Sequence, residues 1–469
     1  MKLPYSMEAW FPLMGGALQG VRVLGQNGPA SVEEVHNAWN ECRNGEALVI
    51  LDSIQGGLRS GLRERCGRLS MLRKVSDKLV TEGCVYRWRV LPGTGGSHVL
   101  LPAQRGGLNA GKEFLPAGRR RWRIARSILG VLDQVGLGDR TGFSEVLVAI
   151  KGPAGSPLCP WIAQCTDSMI AIALGVPGLL RKATMMVHDA SREVRGFVKV
   201  SLGEPARARI QHEASTLDRI ERTKLPSGIA PRLLASGETE HCAWMAQSPL
   251  RGQRSADQVA MPHINYLAQL AKGTGHQRAF DELPSFRRSE VLLAQLARTV
   301  DAEWIEGMGT LAEGLRLALS GSELQCALSH GDFTPWNIIH EDQRLAVFDW
   351  EFAAWDAPAL ADLVHFHLQT GILVRRVSAD LLLEELVSLV AGEARCLIPG
   401  MSQETTGSLA YIGLEVLRAA STDEAQNAIQ CPDFEQVGWL RAARLELAWS
   451  IGERLQAEHS HRKRGALAA

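Results

Sequence analysis

The run Leu328-Ser329-His330-Gly331-Asp332-Phe333-Thr334-Pro335-Trp336-Asn337-Ile338-Ile339-His340 brings a carboxylate, an imidazole and an amide close together in sequence, and Asp349-Trp350-Glu351 follows twelve residues after the Asn. Apolar residues at 338–339 and 345–348 flank the polar turn Glu341-Asp342-Gln343-Arg344, a pattern that predicts an antiparallel hairpin. In such a hairpin Asn337 lies opposite Phe348, so Asn337 and Asp349 emerge side by side at its mouth. An amide oxygen and a carboxylate converging there suit Mg²⁺, a hard cation that takes oxygen ligands and keeps waters and phosphate oxygens around it. Asp332, in a loop turned by Pro335, can point at the same spot. Phosphoryl transfer needs this set: Asp332 to accept or orient the proton of an acceptor hydroxyl, with Asn337 and Asp349 holding the metal.

The sequence from His330-Gly331-Asp332 to Asn337, together with Asp349-Trp350-Glu351, resembles the catalytic motifs of the aminoglycoside phosphotransferase and choline kinase family, which shares the protein-kinase fold. The resemblance implies ATP or GTP as phosphate donor, Mg²⁺, and an alcohol group as acceptor. It also asks for a lysine and glutamate pair upstream. Lys199 sits in the apolar strand Gly196-Phe197-Val198-Lys199-Val200, where its stem can pack while the ammonium reaches phosphates, and a charge there needs a partner. Glu213, fourteen residues on and within a predicted helix, is the candidate partner. The nucleotide-covering loop falls on Gly175-Val176-Pro177-Gly178-Leu179-Leu180-Arg181-Lys182, with Gly178, Arg181 and Lys182 as candidate phosphate contacts, although the run is poor in glycine. Trp244 to Leu250 is the expected hinge. His330 is expected to brace the loop and Asp362 to anchor it, whereas His365 and His367, two apart, fall on different helix faces and make a poor metal pair.

The elements that must position these groups follow from patterning. Residues 46–51 and 85–91 read as strands with a helix over 58–80 between them, and Val99-Leu100-Leu101 adds an antiparallel edge. A Gly/Pro/Ser-rich stretch, 152–157, reads as a linker. Beyond it, 183–187 and 196–200 form two strands joined through Asp189 and Ser191, and 205–220 a helix. From about 290 the pattern is helical, with Leu292, Leu296, Val300 and Trp304 four apart. The expected fold is therefore α+β: a two-lobed kinase-like phosphotransferase domain over 158–469, its small lobe 158–250 and its helical lobe 251–469, preceded by a smaller α/β domain over 1–150.

Charge supports a composite chain. The 469 residues balance 51 Lys+Arg against 51 Asp+Glu, which argues against a dedicated nucleic-acid binder. Residues 1–150 hold 20 basic and 13 acidic residues, and the remainder 31 and 38. The segment 351–469 has 16 acidic and 10 basic residues and so favours a neutral or cationic acceptor over a polyphosphorylated one. Nine cysteines without a Cys-x-x-Cys pair indicate neither zinc site nor disulfide framework. No apolar run is long enough to span a membrane, and residues 1–10 do not read as a secretion signal, so the expected compartment is the cytoplasm. The strands at 46–51 and 84–91 also resemble the closing elements of a class I methyltransferase sheet, without the glycine-rich cofactor loop. Fusion of such a piece to a kinase resembles proteins of bacterial surface-polysaccharide synthesis. On that view the basic tract Arg119 to Arg126 offers contact to an anionic membrane face or a glycan-assembly partner. The competing functional reading is a kinase-fold scaffold without turnover in envelope-glycan assembly.

Overall fold

The computed structural model describes residues 20–24, 31–44, 46–52, 83–92, 97–104, 144–151, 160–163, 169–175, 180–239, 242–341, 344–392, 405–427 and 438–468, with a few single positions between them. The fold is α+β and divides into two compact units, Met1–Gln211 with Leu233–Pro249, and His212–Arg232 with Leu250–Ala469.

The first unit is built on a ten-stranded sheet in the order β1-β2-β5-β3-β4-β6-β7-β8-β10-β9. Its strands are β1 (Gly20–Leu24), β2 (Glu46–Asp52), β3 (Gly83–Pro92), β4 (His98–Pro102), β5 (Ser144–Lys151), β6 (Met169–Leu174), β7 (Lys182–His188), β8 (Val194–Ser201), β9 (Leu233–Glu238) and β10 (Ala243–Gln247). β1 and β2 are parallel, joined through α1 (Val32–Glu41), whose Ser31 and Glu34 form a reciprocal capping box. The other pairings are antiparallel.

A separate domain ending at 150 does not appear. β4 is no edge strand: it pairs with β3 on one side and with β6 on the other, so the sheet runs on past the expected linker. The Trp88 indole N–H donates to the buried Ile170 carbonyl at 2.9 Å, and one apolar cluster holds Val49, Trp88, Leu100 and Val148 together with Ile172, Met185 and Val198. Gly and Pro in a connection report where the backbone turns. They say nothing about whether strands on either side pair. Residues 152–159, most of the helix expected over 58–80, Gly178 and the tract 119–126 lie outside the described residues.

The second unit contains the C-terminal half of α2 (Glu204–Arg222), then α3 (Met261–Thr274), α4 (Pro284–Leu296), α5 (Ala302–Leu319), α6 (Ala361–Gln369), α7 (Ala379–Ala391), α8 (Thr405–Asn427) and α9 (Gly438–Ala468). It also holds two small sheets, β11 (Gln253–Arg254) with β14 (Ile338–Glu341) and β15 (Arg344–Val347), and β12 (His276–Ala279) with β13 (Glu323–Ser329) and β16 (Ala354–Pro358). The helical run expected from 290 is two helices, because Asp301 caps α5 by accepting from the Trp304 N–H at 2.9 Å and restarts the chain. Leu296 and Trp304 are buried on either side of that break. α5 and α9 cross closely: a Cβ on Gly452 would lie 2.9 Å from the backbone of Thr310 and Leu311. Among the described residues no helix is long and apolar enough to cross a membrane.

Candidate active site

β13 runs into the loop that carries Asp332, and the elements around it explain why that loop holds one shape. Phe333 is fully buried and stacks on Tyr266 of α3 with ring centroids 5.7 Å apart, a burial worth about 1.5–3 kcal/mol. Gly331 takes φ 80°, and a Cβ there would fall 2.3 Å from the Phe352 carbonyl oxygen, so only glycine fits. Asp362, one residue into α6 and buried, accepts from the Ser329 hydroxyl at 2.8 Å and from the N–H groups of His330 at 2.6 Å and Gly331 at 2.9 Å. Three donors on one carboxylate give it the anchoring place expected of it.

His330 braces the same loop from inside. Its Nδ1 accepts from the Asp332 N–H at 3.2 Å, so its Nε2 donates to the Phe348 carbonyl at 3.0 Å. Both roles belong to a neutral ring. Burial holds the imidazole below its ordinary pKa against the pull of Asp362, Asp332 and Asp349. The ring lies edge-on to Trp350, 4.7 Å between centroids.

The hairpin is present as β14 and β15, with Ile338 opposite Val347 and the Phe348 N–H donating to the Asn337 carbonyl at 3.0 Å. Asn337 and the residue before Asp349 are thus neighbours at its mouth. Asn337 Nδ2 donates to Asp332 Oδ2 at 2.9 Å and to the Asp332 carbonyl at 3.0 Å, which turns its amide oxygen away from that carboxylate. Asp349 adopts a left-handed backbone, φ 73° and ψ 55°, a conformation that costs a non-glycine residue about 1–3 kcal/mol and recurs where a side chain must be aimed. The donor set is an amide and a carboxylate, both oxygen, which fits Mg²⁺ with its remaining positions left to water and phosphate. Among the described residues no group of three His, Cys, Asp or Glu side chains could hold a metal, so a soft-ligand site is not in view.

The residues expected at the nucleotide are found within their own units. Lys199 is buried in β8, with Thr184 and Met245 as its strand partners, on the face opposite Val198 and Val200. Lys182 opens β7, half-buried. Arg181 is nine-tenths buried, and its Nε donates to the Gly175 carbonyl at 3.0 Å, so it braces its own loop; burial lowers its pKa. Glu213 is fully buried on α2. One residue before it, His212 Nε2 donates to the Ala353 carbonyl at 2.8 Å, and Arg219 lies 3.7 Å over the Trp355 ring, which ties this half of α2 to the segment after Asp349.

Sequence reading missed the side chains behind Asp332. His365 of α6 places Nε2 3.3 Å from Asp332 Oδ1 and Nδ1 2.7 Å from Glu415 Oε1, and Arg418 binds both oxygens of Glu415 at 2.6 and 2.7 Å and the Gly331 carbonyl at 3.0 Å. The available signal was spacing: His365 follows Asp362 by three on one helix face, and Glu415 and Arg418 repeat that spacing with opposite charges. His367 turns elsewhere, to Glu385 at 2.8 Å, beside a cleft of about 660 Å³ lined by Asp257, His367, Thr370, Arg375, Glu385 and Ser388.

A loop carboxylate bonded to an asparagine, a second aspartate at the same hairpin's mouth and a helix-borne anchor together form a constellation for phosphoryl transfer. Residues 181–386 match the model of APH, the phosphotransferase enzyme family. The match covers less than half of the chain and holds the whole of the loop and hairpin. Every residue of the loop and hairpin lies inside the APH segment, as do Lys182, Lys199, Glu213 and Asp362; Glu415 and Arg418 lie beyond it. No curated protein matches the chain. Among solved structures, it is similar to a thermostable mutant of aminoglycoside phosphotransferase APH(4)-Ia in a ternary complex with ADP and hygromycin B, at 13% identity and TM-score 0.43, over 59% of this chain and 92% of that one. Similar too are the ADP-bound aminoglycoside phosphotransferase APH(2'')-Ib, at 16% identity and TM-score 0.36 over 58% and 90%, and a choline/ethanolamine kinase family protein from Mesorhizobium loti, at 15% and 0.39 over 64% and 92%. Likeness at this level adds nothing on substrate or mechanism.

Proposed function

We propose that the chain transfers the γ-phosphoryl group of ATP or GTP to a hydroxyl of a small molecule or saccharide. The observation that carries this reading is the Asp332–Asn337 hydrogen bond: it fixes the carboxylate that takes or orients the acceptor's proton and commits the amide nitrogen, leaving the amide oxygen for a cation. Asn337 and Asp349 would hold Mg²⁺, which when bound neutralises charge developing on the transferred group. Lys199 would contact phosphate, with Glu213 as its counter-charge and Lys182 and the loop at Gly178 nearby in sequence. The acidic excess of residues 351–469, 16 acidic against 10 basic, suits a neutral or cationic acceptor. A role in surface-polysaccharide metabolism rests on sequence likeness alone.

The second reading is a kinase-fold scaffold without turnover, favoured by the engagement of Arg181 with its own loop. Slow Mg·ATP hydrolysis and Mg·ATP calorimetry separate the two. Asp332→Asn should lower hydrolysis by roughly 10²–10⁴-fold with little change in Mg·ATP affinity. Asp349→Asn should weaken both and be partly rescued by added Mg²⁺. A wild-type chain that binds no nucleotide at any Mg²⁺ concentration rejects the enzyme.

A further inference from the structure

His365 has a hydrogen-bond arrangement that a neutral ring cannot satisfy. Both ring nitrogens face carboxylate oxygens, Nε2 towards Asp332 Oδ1 at 3.3 Å and Nδ1 towards Glu415 Oε1 at 2.7 Å. A carboxylate only accepts, so both nitrogens must donate and the ring must be an imidazolium. The groups facing it come from two elements, Asp332 from the loop after β13 and Glu415 and Arg418 from α8, with Arg418 Nη2 at 3.3 Å from Nδ1. Burial and Arg418 oppose the charge, but the hydrogen bonds to Asp332 and Glu415 and the field of Glu415 prevail and carry the pKa to about 9. Glu415 is held below its ordinary value by Arg418 and His365 in spite of complete burial.

His365 and Glu415 are only 5% and 2% exposed. A buried ionic chain of this kind stabilises a helix contact no better than well-packed apolar side chains do, so its place in the core calls for another reason. The two ends of the chain supply it. Asp332 is held by His365 at Oδ1 and by Asn337 at Oδ2, so its carboxylate plane is fixed on both edges, while Arg418 holds the Gly331 carbonyl in the backbone just before it. One helix, α6, thus fixes the loop's backbone through Asp362 and its reactive side chain through His365, one turn apart.

We propose that His365, held by Glu415 and Arg418, is a positioning residue that orients Asp332 towards the acceptor hydroxyl. This rests on the reading of Asp332 as the acceptor-side carboxylate. The test uses the full chain with Mg·ATP as probe and water as acceptor. His365→Gln should lower hydrolysis roughly 10- to 100-fold, as loss of a partner that orients a reactive group does, with Mg·ATP affinity changed less than about twofold. In an Asp332→Asn background the same change should cost almost nothing more. Glu415→Gln should reproduce the pattern in weaker form.

If Asp332→Asn lowers hydrolysis but His365→Gln leaves the rate unchanged, or costs as much in the Asp332→Asn background as alone, the positioning role is overturned and the reading of Asp332 stands. If Asp332→Asn itself leaves hydrolysis unchanged, both fall. Should the variants fail to fold, ¹⁵N-histidine spectra of the unaltered chain decide: a doubly protonated His365 ring at pH 8 supports the proposal, and a neutral ring there overturns it.

Discussion

Replacing Asp362 should separate loss of an anchor's charge from loss of the anchor itself. In Asp362→Ala three buried donors lose their acceptor: the Ser329 hydroxyl, the His330 N–H and the Gly331 N–H. The Ser329 hydroxyl can rotate, and the Gly331 N–H keeps a 3.2 Å contact to Ser329 Oγ, so His330 bears most of the loss. An orphaned buried donor costs about 1–3 kcal/mol, so with the His330 N–H fully lost and the other two partly kept, the alanine variant should lose about 2–4 kcal/mol. Asp362→Asn keeps an acceptor at one oxygen position and sets an NH₂ against a donor at the other, so it should cost about 1–3 kcal/mol. Urea unfolding followed by tryptophan emission is the assay, because Trp336 and Trp350 flank the loop, and the m-value must stay constant for the comparison to hold. Equal losses for the two variants, or an alanine variant within about 0.5 kcal/mol of wild type, would refute the account of the anchor.

Three further expectations follow from the same geometry. A chain beginning at residue 151 strips β4 from β6 and opens the shared core, so it should aggregate; a soluble fragment with a cooperative unfolding transition would show that the two parts are separable. Gly331→Ala forces both a positive φ and a 2.3 Å approach to the Phe352 carbonyl, and should lower the melting temperature and turnover together; an unchanged thermal midpoint would contradict the steric argument. Lys199→Ala should reduce kcat/KM for ATP, and an unchanged value would transfer the phosphate contact to another cation, Lys182 foremost.

What the sequence determined by itself was local. The spacing of Asp332, Asn337 and Asp349 around a polar turn was enough to place all three on one loop and hairpin, because hairpin register follows from the turn and the alternation of side chains. The strands at 46–52, 83–92, 182–188 and 194–201 and the helix at 204–222 were legible for the same reason: periodicity is a property of neighbours in the chain. Domain boundaries were not, since β4 meets β6 through hydrogen bonds that no composition shift records. The break between α4 and α5 escaped because Leu292, Leu296, Val300 and Trp304 keep a fourfold spacing across a cap. Spacing put His365 on the helix face of Asp362 and Glu415 beside Arg418, but it could not reveal that Arg181 folds back on Gly175 or that His365 lies between Asp332 and Glu415. The two His365 contacts join residues 33 and 50 positions apart, and only the packing of α6 and α8 brings such charges together, in surroundings where each must find a partner.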